Sequence, residues 1–177
     1  MDFLQGWWFA HSLLWSVLLP EEIWKEFEHN EISHSVAHHL TAIDELTSEH
    51  GYARVSDVAR HLDITRGSAS LTLKALKQKD FVREDGNKFL RLSEEGQRVV
   101  DVIRANRRVF RQFLEDILKV EARQAEVDAC KVEHLLSAET GSNLLQFLRF
   151  LLAENDQCRD FREAFWLKAD GFDDQES

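Results

Sequence analysis

The sequence predicts a mainly α-helical fold: a winged helix-turn-helix, then an all-helical C-terminal domain, with an apolar helical extension in front. Three observations predict it. Only 7 Gly and 1 Pro occur in 177 residues, and 44% hydrophobic content is enough for a core of real size. From Ile32 onward apolar residues recur at spacings of three and four, and short strand-like runs appear only near residues 82–92. The third observation is charge. Residues 51–92 carry 9 Lys/Arg against 5 Asp/Glu in a chain whose net charge is −10. That balance excludes a general nucleic-acid coat, while a basic segment inside an acidic protein is the footprint of a confined DNA-binding module.

The extension occupies residues 1–30. Positions 3–20 hold 12 apolar residues and no charge, and four of the five tryptophans lie in the first 24 residues. No Lys or Arg precedes the run, as it would in a signal peptide, and Gln5, Gly6, His11 and Ser12 interrupt a stretch barely long enough to span a bilayer. Packing on this chain or on a second copy is the expectation, with membrane-surface contact through residues 3–20 as the alternative. Pro20 ends the segment, and "EEIWKEFEHN" opens a second helix on acidic residues.

The winged helix is placed at 31–92. Val36, Leu40, Ile43 and Leu46 give Ser33–Glu49 a buried helical face, and Gly51 ends it. "RVSDVARHLDIT" supplies a short helix with Val55, Val58, Ala59 and Leu62 inward. A turn at Asp63–Thr65 leads to a helix in "RGSASLTLKALKQKDF" that buries Ala69, Leu73 and Leu76. Val82–Glu84 and Phe89–Leu92 flank Asp85-Gly86-Asn87, a hairpin signal. The second helix of the pair is the one that enters a DNA major groove. Thr65, Arg66 and Ser68 at its start, Ser70, Leu71 and Lys74 on its outer face, and Lys88 in the wing are the candidate contacts. Lys74 and Lys77 suit phosphates; Leu71 suits a thymine methyl. Ordinary helix-surface chemistry is the alternative for each.

Residues 93–167 read as the helical domain and 168–177 as a flexible tail. Ser93 caps a helix to about Leu118, with Val99, Ile103, Phe110, Phe113 and Ile117 on its apolar side. In "DACKVEHLLS", Cys130, Glu133 and His134 fall on one helical face, a donor set suited to Fe(II), Mn(II) or Zn(II). Alternatively Cys130 is a small core residue, with Glu133 and His134 as a solvated edge. "LLQFLRFLLAEND" and "FREAFW" give two further helices. Leu144, Leu145, Phe147, Leu148, Leu151 and Leu152 surround much of the first, as burial in a homodimer requires. Cys158 between them reads as structural. Two cysteines make no disulfide framework, which points to a reduced, cytoplasmic setting. No oxyanion device or phosphate loop appears, so an enzyme is not expected.

From about Ser33 to Leu152 the chain resembles the iron- and manganese-dependent repressors of the diphtheria toxin repressor (DtxR/MntR) type, above all in "GYARVSDVARHLDIT" and "CKVEHLLS". The resemblance implies a winged helix and a helical metal-binding and dimerisation domain, without the SH3-like third domain of longer members. It implies a metal-responsive regulator, Fe(II) favoured over Mn(II) or Zn(II), acting as a homodimer on a palindromic double-stranded operator. The implied ligands are Cys130, Glu133, His134 and, on the first helix, His38; Thr41 stands where manganese-type members carry Glu. His38 independently lies off the apolar stripe, on a polar face with His34, Thr41 and Glu45. An ancillary site of iron-type members falls on Arg107, Arg111 and Glu126. Arginine does not ligate metals at ordinary pH. An ion pair replacing that metal, or three solvated charges, are the alternatives. A second functional reading is a winged-helix regulator whose metal is structural or absent and whose extension meets a partner or membrane.

Overall fold

The computed structural model describes residues 32–173, with seven α-helices and one two-stranded sheet among them. The Trp-rich extension expected over 1–30 and the end of the tail, 174–177, lie outside the described residues. The first helix, α1 (His34–His50), starts on Ser33, whose hydroxyl accepts the Val36 N–H at 3.3 Å. It ends on Gly51, in the left-handed region at φ 79°, where a side chain would be strained. Helices α2 (Val55–His61) and α3 (Arg66–Gln78) form the helix-turn-helix, with Asp63 at φ 53° turning the chain between them. Strands β1 (Val82–Glu84) and β2 (Leu90–Leu92) pair antiparallel, Val82 opposite Leu92. The Asp85 carboxylate shapes the hairpin loop by accepting the Asn87 and Phe89 N–H groups, both at 2.9 Å. Leu40, Ile43, Val58, Leu73, Leu76, Val82 and Leu90 make one core with Val100 of the next helix. That shared residue makes the following helix part of the winged helix's own core.

Helix α4 (Glu94–Gln112) begins on Ser93 and passes directly into a π turn, Phe113–Ile117. It packs on α1, on α5 (Ala122–Val132) and on α6 (Ala138–Leu151). Ile103 and Ile117 of its apolar side are buried as expected, but the rest differs. Val100, Ile103, Asn106 and Val109 are buried, whereas Val99, Phe110 and Phe113 are half-buried. The π turn gives the reason for the lower half: it inserts one extra residue per turn, so the buried position five residues after Val109 is Leu114, and Ile117 follows. Ile117 clusters with Leu148 and Leu151 of α6.

The last helix, α7 (Asp156–Asp173), runs beyond the expected boundary at 167. It is docked by polar contacts at both ends of its described part. Asn155 caps it by accepting the Cys158 N–H at 2.9 Å, and the buried Cys158 thiol lies 3.1 Å from the Phe150 carbonyl. Cys158 is thus inside the first turn of α7, in a packing role. The Trp166 indole donates to the Ile117 carbonyl at 2.8 Å, with the Lys119 ammonium 3.9 Å over its ring. Among the described residues no helix is long and apolar enough to cross a membrane.

Gly96, in the first turn of α4, sets how closely that helix approaches the wing. A β-carbon there would lie 2.2 Å from the Phe81 carbonyl oxygen, which is held by the Ser93 N–H at 3.0 Å. Gly96→Ala is expected to destabilise the protein by about 1–3 kcal/mol, the usual range for overpacking. Thermal and urea melts of the variant beside the parent check this.

Candidate functional site

Three potential ligands converge where α1 meets α5. His34 and His38 stand one turn apart on α1, their ring centroids 4.2 Å apart. Cys130 comes from the last turn of α5, with its Sγ 3.6 Å from His38 Nε2. The ligating atoms of His34, His38 and Cys130 all lie within 4.8 Å of one another. His38 and Cys130 were expected together from the sequence; His34 joins them from the polar face of the same helix. A His-x-x-x-His spacing at 34–38 is the signal that could have found it.

Glu133 and His134 are placed differently from the expectation of a single helical face. Helix α5 ends at Val132, and the two residues occupy the turn that follows. Glu133 keeps helical geometry and its N–H bond to Ala129, at 2.9 Å, so it remains on the side of Cys130. Its side chain is 3% exposed, and Oε2 has no hydrogen-bond partner; the Arg107 guanidinium is 3.5 Å away. The His134 ring lies 5.2 Å from that of His34. Thr41 donates its hydroxyl to the Ala37 carbonyl at 2.9 Å, and so is occupied within its own helix.

The electrostatics suit a cation. Burial, then the neighbouring His34, lowers the pKa of both His38 and His134, which favours the neutral form of each ring. Burial, then the Glu133 charge, raises the Cys130 thiol. Burial also raises Glu133 against the pull of Arg107. A buried carboxylate oxygen without a hydrogen bond is costly unless an ion or donor meets it. The donor chemistry of His34, His38 and Cys130 fits a divalent transition metal, and Glu133 Oε2, without a hydrogen bond but 3.5 Å from the Arg107 guanidinium, is the kind of oxygen such an ion takes.

A buried amide holds this turn in place. Asn106 of α4, 2% exposed, donates through Nδ2 to the carbonyls of Glu133 at 3.0 Å and Leu136 at 2.8 Å. Gly141 makes room for it, since a β-carbon there would sit 2.0 Å from Asn106 Oδ1. An Asn within an apolar stripe was the available sequence signal. Beside it, Arg107 donates from Nε to Glu126 Oε1 at 3.0 Å, and Arg111 reaches Glu126 Oε2 at 3.3 Å and Glu115 at 3.6 Å. The two arginines of α4 therefore share one carboxylate of α5.

The outer face of α3 is open. Thr65 caps the helix by accepting the Ser68 N–H at 3.1 Å, and its hydroxyl also bonds that of Ser68 at 2.9 Å. Arg66, Ser68, Ser70, Leu71 and Lys74 are exposed, Leu71 at 73%. Lys88 projects from the wing at φ 67° and lies 3.1 Å from Glu84. Lys77 also pairs with Glu84, which turns it toward the wing and away from the outer face. Arg54 stacks its guanidinium 4.7 Å over the Phe89 ring at the base of the wing.

Residues 93–159, which include α4, α5, α6 and the turn bearing Glu133, match the model of the iron dependent repressor metal binding and dimerisation domain. The HTH-type transcriptional regulator MntR of Shouchella clausii is 26% identical over 133 residues, 73% of this chain and 90% of that protein. Over these residues the chain is similar to the metal-dependent repressors of the MntR and IdeR kind. The iron-dependent repressor IdeR of Mycobacterium tuberculosis is 23% identical over 119 residues, 67% of this chain but only 52% of IdeR, so this chain spans about half the length of that relative. The solved structure of the manganese regulator SloR shares the fold, with a TM-score of 0.57 at 23% identity over 64% of this chain and 53% of SloR.

The shared carboxylate of Glu126 yields a pH-dependent expectation. Hydrogen bonding from Arg107, then its charge and Arg111, holds the Glu126 carboxyl below its ordinary 4.5. A depressed folded-state pKa adds stability that is present above the ordinary value and lost as pH falls through the depressed one. The Glu126 side chain is 40% exposed, so screening limits the effect. Glu126→Gln should cost up to about 1 kcal/mol at neutral pH and nothing once the carboxyl is protonated. Urea melts of both proteins across that range test it.

Proposed function

We propose that this protein is a metal-dependent DNA-binding transcriptional regulator of metal homeostasis, with Fe(II) favoured and Mn(II) or Zn(II) able to substitute. The convergence of His38 and Cys130 carries the reading. One residue belongs to the first helix of the winged helix and the other to the helical domain, 3.6 Å apart. A cation held by both, with Glu133 and His134 from the turn after α5, would fix the two parts of the protein against each other. When bound, the ion supplies positive charge and directional bonds between them. The chain's own residues do the rest. Asn106 positions the turn, Arg107 neutralises part of the buried Glu133 charge, and Arg107, Arg111 and Glu126 take the bridging place of an ancillary metal without needing one.

Under this reading α3 lies in the major groove, with Thr65, Arg66, Ser68, Ser70, Leu71 and Lys74 toward DNA and Lys88 of the wing on phosphate. Exposed Phe147, Phe150, Phe161 and Leu167 on α6 and α7 supply the apolar surface of a homodimer, and twofold symmetry matches a palindromic operator. The protein acts in the cytoplasm and catalyses no reaction. The names of IdeR, an iron-dependent repressor, and SloR, a manganese regulator, support the choice of metals.

A chelator titration in a DNA mobility-shift assay tests the whole: removing metal should release the operator, and an unchanged affinity would leave a DNA-binding protein with a structural metal or none. By calorimetry, Cys130→Ala and His134→Ala should each weaken metal binding at least about tenfold, since loss of even an outer-sphere partner costs 10–100-fold. On DNA, Lys74→Ala should weaken binding to every sequence and flatten the salt dependence by about one counterion. Leu71→Ala should instead reduce discrimination at one position of each half-site; equal losses on operator and random DNA would exclude base reading.

A further inference from the structure

We propose that His34 is a metal ligand, and that His34, His38 and Cys130 form a nitrogen–sulfur core that selects Fe(II), Co(II) or Zn(II) against Mn(II). The proposal rests on the metal centre inferred above and adds to it the donor that decides its selectivity. Geometry comes first. The His34 ring lies 4.2 Å from that of His38 and 5.2 Å from that of His134. Its ligating atom lies within 4.8 Å of those of His38 and Cys130. Bonds of 2.0–2.3 Å in a tetrahedral site put donors roughly 3.3–3.6 Å apart, so small side-chain rotations bring the three onto one ion.

Among the described residues nothing else in the fold requires a histidine there. His34 is exposed, Ser33 supplies the cap, and the buried face of α1 begins at Ala37.

Selectivity follows from what α1 offers. It presents two imidazoles to the site, while the Thr41 hydroxyl is turned onto the Ala37 carbonyl and Glu45 pairs with His61 at 3.0 Å. With the Cys130 thiolate the two imidazoles make a borderline-to-soft set. Mn(II) prefers oxygen donors and stands lowest among the divalent first-row metals in affinity for a given site. Each nitrogen or sulfur in place of oxygen widens that gap.

The experiment uses the full chain, stripped of metal and titrated anaerobically with Co(II) by absorption spectroscopy and with Mn(II) by electron paramagnetic resonance. The wild type should show a sulfur-to-cobalt charge-transfer band and intense ligand-field bands. His34→Ala should keep the charge-transfer band, shift the ligand-field bands, and bind Co(II) at least about tenfold more weakly, with a smaller loss for Mn(II). Cys130→Ala should lose the charge-transfer band. If His34→Ala matches the wild type in Co(II) affinity and ligand-field spectrum while Cys130→Ala loses the band, His34 is not a ligand and the metal centre stands without it. If the wild type itself shows no sulfur-to-cobalt band, both the centre and this addition to it fail. Should the alanine variant misfold, the ring nitrogen resonances of His34 in the wild type give the answer: they shift on Zn(II) binding if it ligates, and unshifted resonances overturn the proposal.

Discussion

A buried amide cannot go unpaired without cost, and the partners of Asn106 lie in the turn after α5. An unsatisfied donor in such a place costs about 1–3 kcal/mol. The carbonyls of Glu133 and Leu136 remove that cost only when the turn sits where it does. The direction in which Glu133 and His134 leave the backbone thus depends on a residue of α4. Gly141 belongs to the same constraint, because only a residue without a side chain leaves Asn106 its place.

One turn of α4 serves three neighbours at once. Arg104 pairs with Asp44 and lies 3.8 Å from Glu45, both on α1. Asn106 holds the turn after α5, and Arg107 reaches Glu126 on α5 and Glu133 in the turn. Val100, a turn earlier, completes the core of the winged helix. A displacement of α4 would therefore be felt in both parts of the protein, through contacts made by side chains of a single rigid element.

The elements were almost wholly legible in the sequence, because their signals are local. Gly51, Ser33, Thr65 and Ser93 mark helix ends, and Asp85-Gly86-Asn87 marks the hairpin. The π turn was not legible, since it is a change of pitch within a continuous amphipathic run; it shifted burial from Phe113 to Leu114. In the site, His38 and Cys130 could be read because each lay in a recognisable pattern. His34 could not be weighted properly, because its meaning depends on the approach of α5 from about ninety residues away. The displacement of Glu133 and His134 into a turn depends likewise on a tertiary contact, the Asn106 amide. The contact of Arg107 and Arg111 with Glu126, at 3.0 and 3.3 Å, depends likewise on how α4 and α5 pack.

The bond from Trp166 to the Ile117 carbonyl has a further consequence for the order in which the chain folds. The π turn that continues α4 is capped from 49 residues downstream. During synthesis the core of the winged helix is complete in sequence once Val100 has emerged, with every partner already made. The π turn that follows has to wait until Trp166 has been made. A single helix is thereby finished in two instalments, its first turns with the N-terminal core and its last with α7, and a nascent chain stopped before residue 166 would carry a formed head on an unfinished shaft.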